Sequence, residues 1–232
     1  MKNVGILLPA YNEEKNIATV VREARRFLPS SKVVVVDDGS KDGTGKIARK
    51  EGAFVVAHSA NRGKGEALRT GLDVFNRKFR GVKYIIVADA DRQYAIKEAP
   101  NLLKPLLRGE ADFVMGKRDF SKIPFRHRLG NWVWRTAFNA MFKTNFSDTN
   151  CGFIAMTKAT ANKVVSALGG GYIIENALLI EAIRNNLAVR QVGVSVDYRK
   201  TSAVPRGLLM VAGVLVFIFK NGIRYSFRKM KK

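Results

Sequence analysis

Cysteine and histidine are nearly missing from this chain. Among 232 residues there is one cysteine, Cys151, and there are two histidines, His58 and His127. A disulfide scaffold is excluded, and Cys151 has no companion at metal-ligand spacing, so it reads as simple packing. A lone thiol suits a reducing compartment. Acidic residues are scarce as well: 19 Asp and Glu face 41 Lys and Arg, a formal charge of +22. The deficit is lopsided. Residues 1–119 hold 23 basic and 15 acidic side chains, residues 120–232 hold 18 and 4, and no acid follows Asp197. A back half of that kind calls for an anionic partner: nucleic acid, anionic lipid or a phosphorylated substrate. Long apolar runs are missing too. The longest, Leu208 to Phe219, covers about 18 Å as a helix against about 30 Å of bilayer hydrocarbon. Behind Met1 the apolar stretch stops at Pro9, too early for a secretory signal. Apolar residues are plentiful, 47% of the chain, and come in ordered blocks. That excludes general disorder and provides for one large domain with a full core, or two small ones.

The blocks alternate between two periods. Val4 to Leu8 is a short apolar run and reads as a buried strand; residues 13–28 carry Ile17, Val20, Val21, Ala24, Phe27 and Leu28 at helical spacing. Asn12 is the expected N-cap of that helix, with Glu13 and Glu14 at its positive end. Lys32 to Val36 is a second strand without polar alternation, as expected of one covered on both faces. A helix around 43–51, a strand at 53–56, a helix over 64–78 and a strand at 84–88 follow, then a helix at 97–108 and a strand at 112–116. The polar signatures fall at the C-terminal ends of the strands. This predicts an α/β fold, a mainly parallel sheet with a ligand crevice along that edge. Past residue 120 the pattern changes to a basic, aromatic stretch from Phe125 to Phe146, a strand at 151–156, a helix near 175–186 and a strand near 189–197. There is no internal repeat or linker.

Asp89-Ala90-Asp91 stands directly after an apolar strand. Carboxylates at i and i+2 in extended chain point the same way, so the pair is either a solvated turn or a site for a hard cation. Mg²⁺ and Mn²⁺ take such oxygen ligands, often one or two carboxylates plus phosphate oxygens, and Gln93 offers a third oxygen. Asp37-Asp38-Gly39-Ser40 ends another strand and is either a common Asp-Gly turn or an acceptor for base and ribose groups. Asn61-Arg62-Gly63-Lys64-Gly65 is a basic, glycine-rich helix start able to face phosphate. It lacks P-loop spacing, and no Gly-x-Gly-x-x-Gly follows the first strand, which counts against a dinucleotide oxidoreductase. His58 and His127 read as structural or surface residues. Trp132 and Trp134 read as core or membrane-interface packing, or as a sugar-stacking platform.

In order and spacing, Leu8-Pro9-Ala10-Tyr11-Asn12-Glu13-Glu14, Val36-Asp37-Asp38-Gly39-Ser40-Lys41-Asp42-Gly43-Thr44, Asn61 to Leu68 and Asp89-Ala90-Asp91 resemble glycosyltransferase family 2 on the GT-A, Rossmann-like fold. Gly116-Lys117-Arg118 and Asp148-Thr149-Asn150-Cys151-Gly152-Phe153 are similar to the later blocks of its dolichyl-phosphate mannose synthase-like, polyprenyl-phosphate branch. The resemblance spans residues 3–200. It implies transfer of one sugar, with inversion, from a nucleotide-diphosphate sugar (GDP-mannose or a UDP-hexose) to polyprenyl or dolichyl phosphate. Pro9, Tyr11, Glu13, Asp38, Lys64 and Ala90 then line the donor site, and Asp89, Asp91 and Gln93 hold Mg²⁺ or Mn²⁺ against the diphosphate. Arg118, Arg128 and Arg135 meet the acceptor phosphate, and Asp91 and Arg118 serve the chemistry itself. Glu175 falls where the branch has an acid, but Asn176 departs from the hydrophobic residue that normally follows it. A phosphate acceptor is already anionic and needs no general base, whereas a soluble or glycan hydroxyl acceptor, the alternative, does. Its candidates among the late acids are Asp148, Glu175, Glu181 and Asp197.

Residues 1–200 thus form the expected transferase domain, and 201–232 an apolar helix with a basic tail. The helix at 208–219 reads as lying in the headgroup boundary of an anionic membrane, as a core or dimer helix, or as a span with snorkelling ends. The first reading places the protein at the cytoplasmic face of the cell membrane and makes lipid the anion behind the charge. No nucleic-acid-binding signature appears, so nucleic acid is not the expected partner.

Overall fold

The computed structural model describes residues 3–120, 125–166, 168, 174–197 and 207–230. Seven strands, β1 (Val4–Ala10), β2 (Lys32–Asp37), β3 (Phe54–Ala57), β4 (Tyr84–Val87), β5 (Phe113–Arg118), β6 (Ile154–Thr157) and β7 (Val189–Val194), form one sheet in the order β3-β2-β1-β4-β6-β5-β7. The β3-β2-β1-β4 half is parallel, with Leu7 facing Val34 on one side and Val87 on the other. Their Val- and Ile-rich runs bury nearly every residue, because helices cover both faces. Strand order reverses between β1 and β4, so the chain splits apart beyond their C-terminal ends and leaves a crevice there. The sheet departs from the parallel expectation at β6, which runs antiparallel to both β4 and β5, while β7 pairs with β5 in parallel.

Helices α1 (Ile17–Phe27), α2 (Thr44–Lys50), α3 (Lys64–Arg77) and α4 (Ala99–Leu107) lie where the periodicity predicts them. The first starts four residues late. Asn12 is no cap; it sits at φ 56° and its side-chain oxygen accepts the Lys41 amide at 2.9 Å, while Glu13 O accepts the amides of Asn16 and Ile17. On α3, Gly71 lies directly under the Leu7 side chain, so the helix settles closer to β1 than any Cβ would allow. The aromatic stretch is helix α5 (Phe125–Phe142), the strand expected at 151–156 starts only at Ile154, and α6 (Lys158–Ser166) follows unforeseen. α7 (Ile174–Arg184) leads to β7.

The C-terminal helix, α8 (Gly207–Met230), is twice the expected length and packs along α5. Val214 and Ile218 are buried, Gly222 lies against Met141, and the Phe142 and Tyr225 rings stand 5.5 Å apart. Arg184 of α7 ties the helix down through Asn221 Oδ1 at 3.0 Å. Its other face bears exposed Val216, Phe219 and Ile223, with Lys220 and Arg224 beside them. Among the described residues no helix is long and apolar enough to cross a membrane. The side chain of His127, and residues Arg206, Lys231 and Lys232 of the expected basic flanks, lie outside what is described.

Candidate active site

The ends of β1, β2 and β4 bring the sequence-predicted residues to one edge. Pro9 and Ala10 close β1 and exposed Tyr11 follows; Asp37 closes β2 and Asp38 follows; Asp89, buried Ala90 and Asp91 follow β4. Their loops interlock through hydrogen bonds that sequence spacing does not reveal. The Asn12 amide donates to Ser40 Oγ at 2.9 Å, the Glu13 amide to Thr44 Oγ1 at 2.7 Å, and the Ser40 amide to Asp37 Oδ1 at 3.0 Å.

Asp38 is nearly inaccessible. Its Oδ1 accepts the Arg62 amide at 2.9 Å and contacts His58 Nδ1 at 2.6 Å; its Oδ2 accepts the Gly63 amide at 2.8 Å. His58 Nε2 meets Thr70 Oγ1 at 2.9 Å. Asp38 therefore moulds the 61–63 loop and sets the start of α3, and His58 is structural, as its sequence context suggests.

That start delivers Lys64 to the crevice floor, where its ammonium donates to Asp89 Oδ1 and, at 2.7 Å, to Glu175 Oε1 on α7. Burial alone would lower the Lys64 pKa, but Asp89 and Glu175 outweigh it and hold the group charged. Gly152 lies so close to Asp89 Oδ2 and the Lys64 ammonium that a Cβ there would strike the carboxylate, and its amide donates to the buried Tyr94 hydroxyl at 2.9 Å.

Asp91 Oδ1 accepts the Gln93 amide at 2.9 Å; the backbone of Gln93, rather than its carboxamide, makes the recorded contact. Burial, then the charges of Asp89 and Glu13, push the Asp91 carboxyl up to about 6. Burial also raises Glu13, which again feels Asp89. The edge thus holds more negative charge than its surroundings neutralise, and a divalent cation fits Asp89 and Asp91 on those grounds. Among the described residues no three His, Cys, Asp or Glu side chains converge on one metal position. The protein's share is at most two carboxylates, the donor set that suits a cation completed by water and phosphate oxygens.

At the far end of the crevice, Arg118 closes β5. Its Nε and Nη2 donate to the two Asp148 oxygens at 2.6 and 2.9 Å, and Nη2 donates to Asn131 at 3.0 Å. Burial opposes its charge, but the Asp148 hydrogen bonds keep its pKa well above the usual value. Beside it, Phe120, Arg128, Leu129, Asn131, Trp132 and Arg135 line a cavity of about 290 Å³. Trp132 is exposed, whereas Trp134 is buried, so the two are not one platform. Cys151 is buried, and burial drives its thiol up to about 12.

Residues 5–165 match the family model described as "Glycosyl transferase family 2". The chain belongs to that family. As a family 2 transferase it is similar to members of the polyprenyl-phosphate branch. The UDP-N-acetylglucosamine–dolichyl-phosphate N-acetylglucosaminyltransferase of Methanococcus voltae is 26% identical, over 93% of this chain and 94% of that protein. The polyprenol monophosphomannose synthase of Mycolicibacterium smegmatis is 28% identical, over 84% and 77%. Glucosyl-3-phosphoglycerate synthase from Mycobacterium tuberculosis, crystallised with Mn²⁺, uridine diphosphate and phosphoglyceric acid, superposes with a TM-score of 0.76. At 21% identity over 97% of this chain and 78% of that one, it is a likeness of fold.

Spacing did not reveal the Asp148 clamp on Arg118, the His58–Asp38 contact or Tyr94 behind Gly152. Each joins segments 20 or more residues apart. Glu175 was visible as an acid at a branch position, but its partner, Lys64, lies 111 residues away.

Proposed function

We propose that this family 2 transferase moves one sugar, with inversion, from a nucleotide-diphosphate sugar to a polyprenyl or dolichyl phosphate. We place it at the cytoplasmic face of an anionic membrane. The observation that carries the acceptor assignment is the cavity joining Arg128 and Arg135 to Phe120, Leu129 and Trp132. Cations beside apolar rings suit a phosphate that bears a hydrocarbon tail. The names of the two branch relatives point the same way.

In this reading Pro9, Tyr11 and Glu13 border the nucleotide, and Asp38 shapes the pocket from behind. Lys64 faces the diphosphate, steered by Glu175. A Mg²⁺ or Mn²⁺ ion on Asp89 and Asp91, when bound, supplies positive charge against the leaving nucleoside diphosphate. Arg118, fixed by Asp148, keeps a permanent charge between the donor and acceptor ends and lowers the repulsion between their phosphates. Attack by the acceptor oxygen from the face opposite the diphosphate inverts the anomeric carbon. No side chain is needed to take a proton from an ionised phosphate.

The alternative, a soluble or glycan hydroxyl acceptor, calls for a free carboxylate near that end. Asp148, Glu175 and Glu181 are instead ion-paired to Arg118, Lys64 and Arg184, and Asp197 is not free either. For the membrane, the support is the exposed apolar stripe of α8 with Lys220 and Arg224 beside it. The deciding assay supplies radiolabelled GDP-mannose, UDP-glucose and UDP-N-acetylglucosamine with polyprenyl phosphate and Mn²⁺. Label should enter an organic-extractable product and stop doing so when the metal is chelated. Label confined to water-soluble products would overturn the acceptor assignment.

A further inference from the structure

Helix α7 is apolar where it meets the core, with Ile174, Leu178, Leu179 and Ile180 all buried. Asn176 interrupts that face with no exposure at all. Its Nδ2 donates to Asn150 Oδ1 at 3.0 Å, and its own Oδ1 is buried without a partner among the described residues. Exchanging oxygen and nitrogen in both amides reverses the bond but leaves one buried atom of Asn176 orphaned either way. Packing gives no reason for such a residue, because a leucine would fill the position with no unpaired polar atom.

The pair is bracketed by the diphosphate-facing residues. Asn176 follows Glu175, which holds Lys64 at 2.7 Å. Asn150 stands two positions before Gly152, whose backbone lies against Asp89 and the Lys64 ammonium. Asn150 is itself only partly exposed. Its amide N–H is tied to Asp148 Oδ1 at 3.0 Å and its carboxamide oxygen to Asn176. What remains is the free end of the Asn150 carboxamide, held in place by these two bonds and without a partner among the described residues.

We propose that Asn150 hydrogen-bonds a polar substituent of the donor sugar, a hydroxyl or acetamido group, and that Asn176 is the positioning residue that aims it. The inference rests on the donor-site reading given above. A diphosphate held over Lys64 and Asp89 places its sugar beside Asn150. The unpaired Asn176 oxygen is then completed by a hydroxyl, or by a water carried with it. Sugar choice is set here rather than at the nucleotide loops, because the pair contributes only where the sugar lies.

The test compares dissociation constants, by calorimetry with Mn²⁺, for UDP, UDP-glucose, UDP-N-acetylglucosamine, GDP and GDP-mannose. The wild-type protein should bind one sugar nucleotide more tightly than its bare diphosphate. Asn150→Ala and Asn176→Leu should each weaken that sugar nucleotide about five- to tenfold, the effect of one hydrogen bond. The bare diphosphate should be unchanged. Asn176→Leu should melt no lower than wild type; if it fails to fold, Asn150→Ala decides. Equal weakening of diphosphate and sugar nucleotide, or no change in either, overturns the assignment. A wild-type protein that binds none of the five ligands overturns the donor-site reading instead, and the amide pair falls with it.

Discussion

Asp91 burdens the fold for the sake of its site. Its carboxyl, raised to about 6 by burial and by Asp89 and Glu13, is harder to ionise folded than unfolded, where it titrates near 3.8. The folded protein therefore binds the proton more tightly. The stability this lends is complete below pH 3.8 and lost as pH rises through 6. Asp91→Asn should accordingly raise the melting temperature of metal-free protein at pH 7.5 and lose that advantage at pH 4, while abolishing sugar transfer. A variant that melts lower at pH 7.5, or still turns over, would contradict the assignment. Cys151 is the opposite case, a group the site leaves inert. With its thiol pushed to about 12, iodoacetamide at pH 8 should label it only after denaturant is added, and rapid labelling of native protein would show the burial to be wrong.

Among the elements, α3 does the most positioning, and its bearing on β1 is Gly71. A valine there would collide with Leu7. Overpacking of this kind costs about 1–3 kcal/mol, so Gly71→Val should lower the urea midpoint without changing the slope and should weaken donor binding by displacing Lys64. An unaltered midpoint would mean the contact yields freely. This helix also marks how far the amino-acid order could be read. Strands β1, β2 and β4 announce themselves as unbroken Val, Ile and Leu runs, and α1 and α3 as apolar stripes, because tertiary burial and local period agree there. The place of Asp89 and Asp91 at the sheet edge was legible for the same reason, since they stand at the end of such a run. α6 was not, since Lys158-Ala159-Thr160-Ala161-Asn162 carries little apolar signal. Asn12 looked like a cap because the sequence shows its type and not its φ. The antiparallel turn of β6 is a matter of chain return, which no local pattern encodes. Counter-charges such as Glu175 for Lys64 are long-range by nature.

Taken whole, the molecule puts an exposed apolar stripe beside Lys220 and Arg224 on its C-terminal helix. Full-length protein should float with vesicles containing anionic lipid, less so at high salt, and remain unbound to neutral vesicles. Replacing Val216, Phe219 and Ile223 together by serine should abolish flotation without lowering the melting temperature, because these side chains are exposed in the fold. Persistent flotation of the triple variant would move the membrane contact elsewhere. The same view bears on how the chain may be shortened. The family model ends at residue 165, yet β7 pairs with β5, Asp197 N–H bonds Gln93 O just past Asp91, and Glu98 accepts both hydrogen bonds of Ser195. A fragment ending after α6 would strip one border from the sheet and leave β5 as raw backbone, ready to zip onto a second molecule. The last third is thus the clasp of the enzyme: the motifs come first in the chain, but they are fastened from behind.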